Sequence, residues 1–259
     1  MKHFIFLTLV ACSACLEAQT AVDKAWTILS TSAQDKSAEK RSKAVQALGV
    51  IFENPRAQST AESALKDDKE EVRAAAAEAL GQMHATGSAP LLKAAIKDPE
   101  TSVVFAAANA LFMIGDPASY EVYYAVLTGQ RKSGDALVES QMKMLKDPKA
   151  LTHLGFEAGM GFVPFGGVAL TAVKMLKADN VSPVRAGAAI KLIGDPDPKA
   201  VEALSNATKD SHWLVQAAVI NALAKRDDSS VLPVITALLD DENDVVRFNA
   251  AAAVIHLTK

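Results

Sequence analysis

The residues of this 259-residue chain that could do chemistry are few, and they do not gather. Five histidines, His3, His84, His153, His212 and His256, stand singly, and none has a second His, Cys or acid at a metal-ligand spacing. Asp210-Ser211-His212 brings three triad residue types together, but successive residues at a helix start point in different directions, so the run cannot act as a triad. The glycine run GMGFVPFGG, 159–167, invites a nucleotide reading and fails it. Gly159 and Gly161 fit the first two positions of a dinucleotide fingerprint, but Pro164 takes the third and no strand pattern precedes it. Gly161 and Gly166 have the phosphate-loop spacing, yet Gly167 and Val168 stand where Lys and Ser/Thr are needed. The sequence therefore predicts no catalytic residues, no cofactor and no metal, and the chain reads as a non-enzyme.

The carboxylates carry a different signal. Asp35, Asp67, Asp98, Asp179, Asp210 and Asp241 are each followed six residues later by Arg41, Arg73, Val104, Arg185, Gln216 and Arg247, and thirteen later by Leu48, Leu80, Leu111, Leu192, Leu223 and Val254. From Arg41 the anchors advance by 32, 31, 81, 31 and 31 residues. Such self-similarity marks a repeat architecture in which each unit buries its apolar face on the next. The Asp is expected at a helix start, where its carboxylate meets unpaired backbone N–H groups, with Pro99 at the first helical position and Asp67/Glu70 as a capping box. Small residues at helical spacing, as in VRAAAAEAL, let neighbouring helices approach closely. Gly81, Gly115 and Gly194 are expected to end helices in the left-handed conformation. Each unit then continues into a second apolar helix such as PLLKAAIKD.

Asp, then Val-Arg, an alanine-rich helix and Gly-Asp-Pro together resemble the HEAT-like repeats first associated with phycobilisome lyases. The resemblance implies an all-α chain, an α-solenoid of about six to seven helical hairpins with a period of about 31 residues, extending over 22–259. It also implies that the Asp and Arg positions are structural, forming a ladder between neighbouring repeats, weaker where Val104 and Gln216 stand. It implies no catalysis, because the repeat has no catalytic signature of its own, and none of the lyases' chemistry is recognisable in these residues.

One irregular insert, about 130–167, interrupts the array. Two readings of its Gly/Phe-rich stretch stand: a tight turn in which Phe162 and Phe165 fold back over the helices, or an exposed apolar tip that docks a partner or lipid. All three tyrosines, Tyr120, Tyr123 and Tyr124, fall in the helix just before it, and with Phe162 and Phe165 they make an aromatic candidate surface for a protein partner. Trp26 and Trp213 read as packing residues.

The N-terminus pairs a short basic start with the apolar run Phe4–Ala14 and a small-residue exit, the pattern of an export signal over 1–18. Cleavage after Ala18 leaves a mature chain without cysteine. The alternative reads Leu9–Cys12 as a bacterial lipobox with Cys12 lipidated, so the expected location is the periplasm or cell envelope, soluble or lipid-anchored. Lys and Arg are interleaved with acids at a formal net charge of −3, which excludes a nucleic-acid surface. Two function classes follow: an exported protein-binding scaffold, and a membrane-associated envelope factor held by Cys12 or by the Phe162/Phe165 loop. A small-molecule or peptide pocket at the tyrosines is a third, weaker reading. The array is further expected to open with a lone helix at Val22–Ser30 and to close with a lone apolar helix at Val245–Thr258, whose outer face would mediate self-association.

Overall fold

The computed structural model describes residues 19–127 and 182–258, and among them every regular element is helical. The helices are α1 (19–32), α2 (Ala38–Ala47), α3 (Pro55–Ala64), α4 (Glu70–Gln82), α5 (Ala89–Ala95), α6 (Thr101–Met113) and α7 (Ala118–Leu127). After the gap come α8 (Ser182–Lys191), α9 (Pro198–Ala207), α10 (Trp213–Lys225), α11 (Leu232–Thr236) and α12 (Asp244–Leu257). Short 3₁₀ turns extend several of them, among them Leu48–Val50 after α2 and Ala237–Asp240 after α11.

The helices that follow the repeated Asp stack side by side in one row. Their spatial order is α8, α10, α12, α2, α4, α6, so the last hairpin of the chain stacks against the first. Alanine makes this row possible. Ala76, Ala77 and Ala79 of α4 and Ala250 to Ala253 of α12 are completely buried, and their small side chains bring helix axes close. Four intervening helices pack chiefly on the row helix that follows them, α3 on α4, α5 on α6, α9 on α10 and α11 on α12, while α7 packs on α6 before it. The hairpin thus runs from the helix before the Asp to the helix after it, one helix out of register with the pairing expected from sequence. In that register α12 belongs with α11 and is not a lone helix.

This overturns the expectation of an exposed apolar face on the last helix. Val246, Phe248 and every residue from Asn249 to Leu257 are buried. The faces of α12 are taken by α10, α11, α2 and the Leu48–Val50 turn. The apolar composition is that of an interior row helix, placed at the chain end but not at the end of the stack.

Helix starts also differ from expectation. The repeated Asp lies two residues ahead of the N-cap, not at it. Asp35, Asp67, Asp98, Asp210 and Asp241 each accept a hydrogen bond from the backbone N–H two residues on, at 2.8–3.0 Å. The N-caps are Ser37, Lys69, Glu100, His212 and Asn243. Pro99 therefore precedes the helix, and Asp67 with Glu70 is no capping box. An Asx turn before the helix occupies one lone pair of Oδ1 and leaves the rest of the carboxylate for another partner, which the ladder uses. Of the three glycines expected as left-handed stops, only Gly115 has positive φ, at 77°. Glu53, His84 and Asp227 take that conformation in other repeats.

Candidate functional site

Two constellations emerge from this packing, a ladder of ion pairs along the row and an aromatic edge at one end of it. In the ladder, Arg41 forks onto Asp67 of the next repeat through Nε (2.8 Å) and Nη2 (2.7 Å), while its Nη1 donates to the Asp35 carbonyl at 2.9 Å. Arg73 repeats the arrangement on Asp98, at 2.8 and 3.0 Å, and on the Asp67 carbonyl, at 2.9 Å. Arg185 reaches Asp210 at 2.6 Å. The six-residue Asp–Arg spacing within a repeat is thus the reach from guanidinium to its own turn's carbonyl. The ion pair itself links different repeats. Gln216 keeps only a carbonyl contact, its Nε2 donating to Thr208 at 3.1 Å. Val104 contributes no donor, and Asp179 lies outside the described residues.

Burial alone would raise the Asp67 and Asp98 carboxyls, but the arginine forks and the backbone N–H groups of Lys69 and Glu100 outweigh it and hold both below the ordinary carboxylate pKa. Asp67 raises Arg41, and Asp98 raises Arg73, against an opposing effect of burial. The linkage has a definite sign. A carboxyl lowered on folding stabilises the fold above its unfolded pKa, about 3.9, and that stability is lost as pH falls through the lowered folded value. The stability of Asp67→Asn and Asp98→Asn, read by urea denaturation, should accordingly fall less steeply with pH below about 4 than that of the wild type. At neutral pH each variant should be less stable by about 2 kcal/mol, because a charge-assisted fork is lost. Equal acid slopes in variant and wild type would show that the rungs carry no such linkage.

The second constellation lies on α6 and α7. Tyr120 is 50% exposed and Tyr124 is 66% exposed, while Tyr123 packs partly buried against the core, and burial pushes its hydroxyl pKa up. Tyr120 meets the edge of Phe112, itself 49% exposed, with ring centroids 6.3 Å apart. Phe112 escapes a reading based on the tyrosines alone, although a signal for it is present. It stands eight residues after Val104, where Gly49 and Gly81 stand relative to Arg41 and Arg73. Those glycines occupy the places where the next row helix arrives: a Cβ on Gly81 would lie 2.8 Å from the Ala110 Cα, and one on Gly49 would strike the Gln82 side chain at 2.3 Å. A large ring replaces glycine on α6, after which no further row helix is described. Phe162, Phe165 and Cys12 lie outside the described residues, so the structure does not place them with the tyrosines.

The remaining candidates are structural in their surroundings. The Arg56 guanidinium lies 4.1 Å from the Trp26 ring centre, and Trp213 is partly buried against the core. His212 caps α10 by accepting from the Leu214 N–H, and His256 lies buried, its Nε2 3.2 Å from Asp227. Among the described residues no three His, Cys, Asp or Glu side chains are placed to hold a metal ion, and no helix is long and apolar enough to cross a membrane.

Comparison with known proteins follows the same lines. No curated protein matches the chain. Among solved structures, human deoxyhypusine hydroxylase in complex with glycerol is 19% identical, with 98% of each chain covered and a TM-score of 0.34. The complex of CpcE and CpcF of phycocyanin lyase from Nostoc sp. PCC7120 is 16% identical, with 92% of this chain and 94% of that chain covered and a TM-score of 0.36. An engineered protein is 16% identical over 91% of this chain and 96% of its own, with a TM-score of 0.31. These likenesses assign no activity. The family model for HEAT repeats matches residues 26–111, 60–138 and 170–255, spans that together take in most of the sequence. With the laddered row of helices and the repeated Asp turns, this places the chain in the HEAT-repeat family.

Proposed function

We propose that this HEAT-repeat chain is a non-catalytic scaffold that binds another protein, and that the aromatic edge of Phe112, Tyr120 and Tyr124 is its contact surface. The observation that supports the reading is the exposure of three large rings side by side, one of them where the two preceding repeats carry Gly49 and Gly81, packed under a neighbouring helix. Aromatic side chains give much buried area for little lost conformational entropy, and they dominate binding energy at protein interfaces. The Phe162/Phe165 stretch belongs to the proposal as a second element of the same surface, since it follows α7 in the chain. Export is also part of it, through the leader at 1–18, with cleavage after Ala18 or lipidation at Cys12. The intact mass of the mature protein separates those two.

The test is affinity capture from native extract with wild type, Phe112→Ser/Tyr124→Ser and Phe162→Ser/Phe165→Ser, followed by titration of the purified captured protein. Loss of two hot-spot rings should weaken its binding by roughly several hundred-fold, since each contributes on the order of 2 kcal/mol. The thermal melt of Phe112→Ser/Tyr124→Ser should stay unchanged, because both rings are already exposed. Unaltered affinity in both variants would remove the aromatic surface from the reading.

A further inference from the structure

We infer that the contact between α12 and α2 is a hinge, about which the helices of 19–127 and those of 182–258 rotate as two bodies. The inference stands apart from the proposed function, and four observations carry it. First, this is a junction between neighbouring row helices that the chain does not bridge locally: α12 ends at Leu257 and α2 begins at Ala38, and the covalent link between the two halves leaves from α7, packed on α6 at one end of the row, and re-enters at α8 at the other. Second, its ion-pair rung is absent. By the rule that Arg41 and Arg73 follow, Arg247 should fork onto Asp35. Instead the Arg247 Nη2 turns back onto Asp244 of its own helix, and Asp35 takes Lys40 at 3.2 Å. Third, α12 packs on α2 less extensively than any other pair of consecutive row helices packs within either half.

Fourth, the contact is polarised. At the C-terminal ends of the two helices the fit is specific: the Leu48–Val50 turn packs on α12 and α10, and Phe52 meets the edge of the His256 ring with centroids 5.2 Å apart. His256 in turn reaches Asp227 at 3.2 Å. At the N-terminal ends, where a rung would clamp the helices, none is made. A joint held at one end and unclamped at the other pivots at the held end. An ionic tie on the flank is Lys24 to Asp240 at 2.7 Å, an exposed pair with side chains 46% and 78% accessible. Such a pair resists little, because water and salt screen it. Interfaces of modest size between units of one chain ordinarily allow relative motion, and hinges sit where few groups must rearrange. Rotation here would change the separation between the aromatic edge on α6 and α7 and the other end of the row, where Val184 of α8 is 61% exposed.

The experiment is pulsed electron–electron resonance on the full chain with Cys12 and Cys15 changed to Ser. Spin labels at Ser63→Cys and Glu202→Cys straddle the joint, and both positions are exposed. Ser63→Cys with Glu121→Cys, and Glu202→Cys with Ser229→Cys, report within each half. The distance distribution across the joint should be about twice as wide as either control or wider. Phe52→Ala should widen it further without moving the controls. A distribution across the joint as narrow as the controls in the otherwise unchanged protein overturns the hinge. So does a Phe52→Ala change that appears equally in the control pairs, since that would be general loosening.

Discussion

Phe248→Ala should lower the stability of the protein by about 3–5 kcal/mol, a fall in melting temperature on the order of 10 °C. Among the described residues Phe248 is the largest fully buried side chain, and it sits in the second turn of α12, flanked along the helix by Val246 and by the buried run from Asn249 to Leu257. Removing its ring leaves a cavity between helices whose alanines are already in contact and cannot move inward to fill it. Phe248→Leu, which keeps most of the volume, should cost less than about 1.5 kcal/mol. The comparison is read by thermal or urea denaturation. It separates two pictures of the C-terminus: on a solvent-facing terminal helix the alanine substitution would be nearly neutral, and a shift under about 2 °C would show that α12 is not an interior helix of the row.

Gly81→Ala should destabilise by about 1–3 kcal/mol, although alanine is the better helix former. Gly81 lies within α4, and an added methyl would come 2.8 Å from the Ala110 Cα and 3.0 Å from its Cβ, with the Met113 sulfur at 3.3 Å. The obstruction is mostly main chain and a Cβ, so no rotamer change relieves it and α4 must shift against α6. Gly187→Ala is the control. It too is a helical glycine, in α8, but an added Cβ meets nothing within 4 Å. That substitution should stabilise by about 0.5–1 kcal/mol, by lowering the entropy of the unfolded chain. Denaturation midpoints moving in opposite directions would establish that close approach, not helix propensity, sets the identity of residue 81. If both midpoints rise, α4 and α6 are not in backbone contact there.

Much of this protein is legible in its residues. The Asp-to-Arg spacing of six, the apolar position seven further on and the alanine runs between them specify a helical repeat, because a turn, a helix and a stacking face each recur at fixed intervals. Tyr120 and Tyr124, four apart, declare one face of α7, and both are exposed. Where the reading slipped, it slipped by a small register. Two residues separate the Asp from the true N-cap, because an Asx turn and an N-cap use the same residue types and the same hydrogen-bond acceptor.

What sequence by itself determined was therefore local: the repeat, its period and its helix-forming stretches. These follow from hydrogen bonding and side-chain volume within a few turns of the chain. Only the tertiary structure decided which helices are neighbours. It set α12 against α2, paired Arg41 with Asp67 instead of with its own Asp35 carboxylate, and left Phe112 uncovered beside Tyr120. The physical reason is that every row helix presents much the same alanine face. A face of that kind specifies stacking but not order, so the partner of a terminal helix is settled by where the rest of the chain carries it.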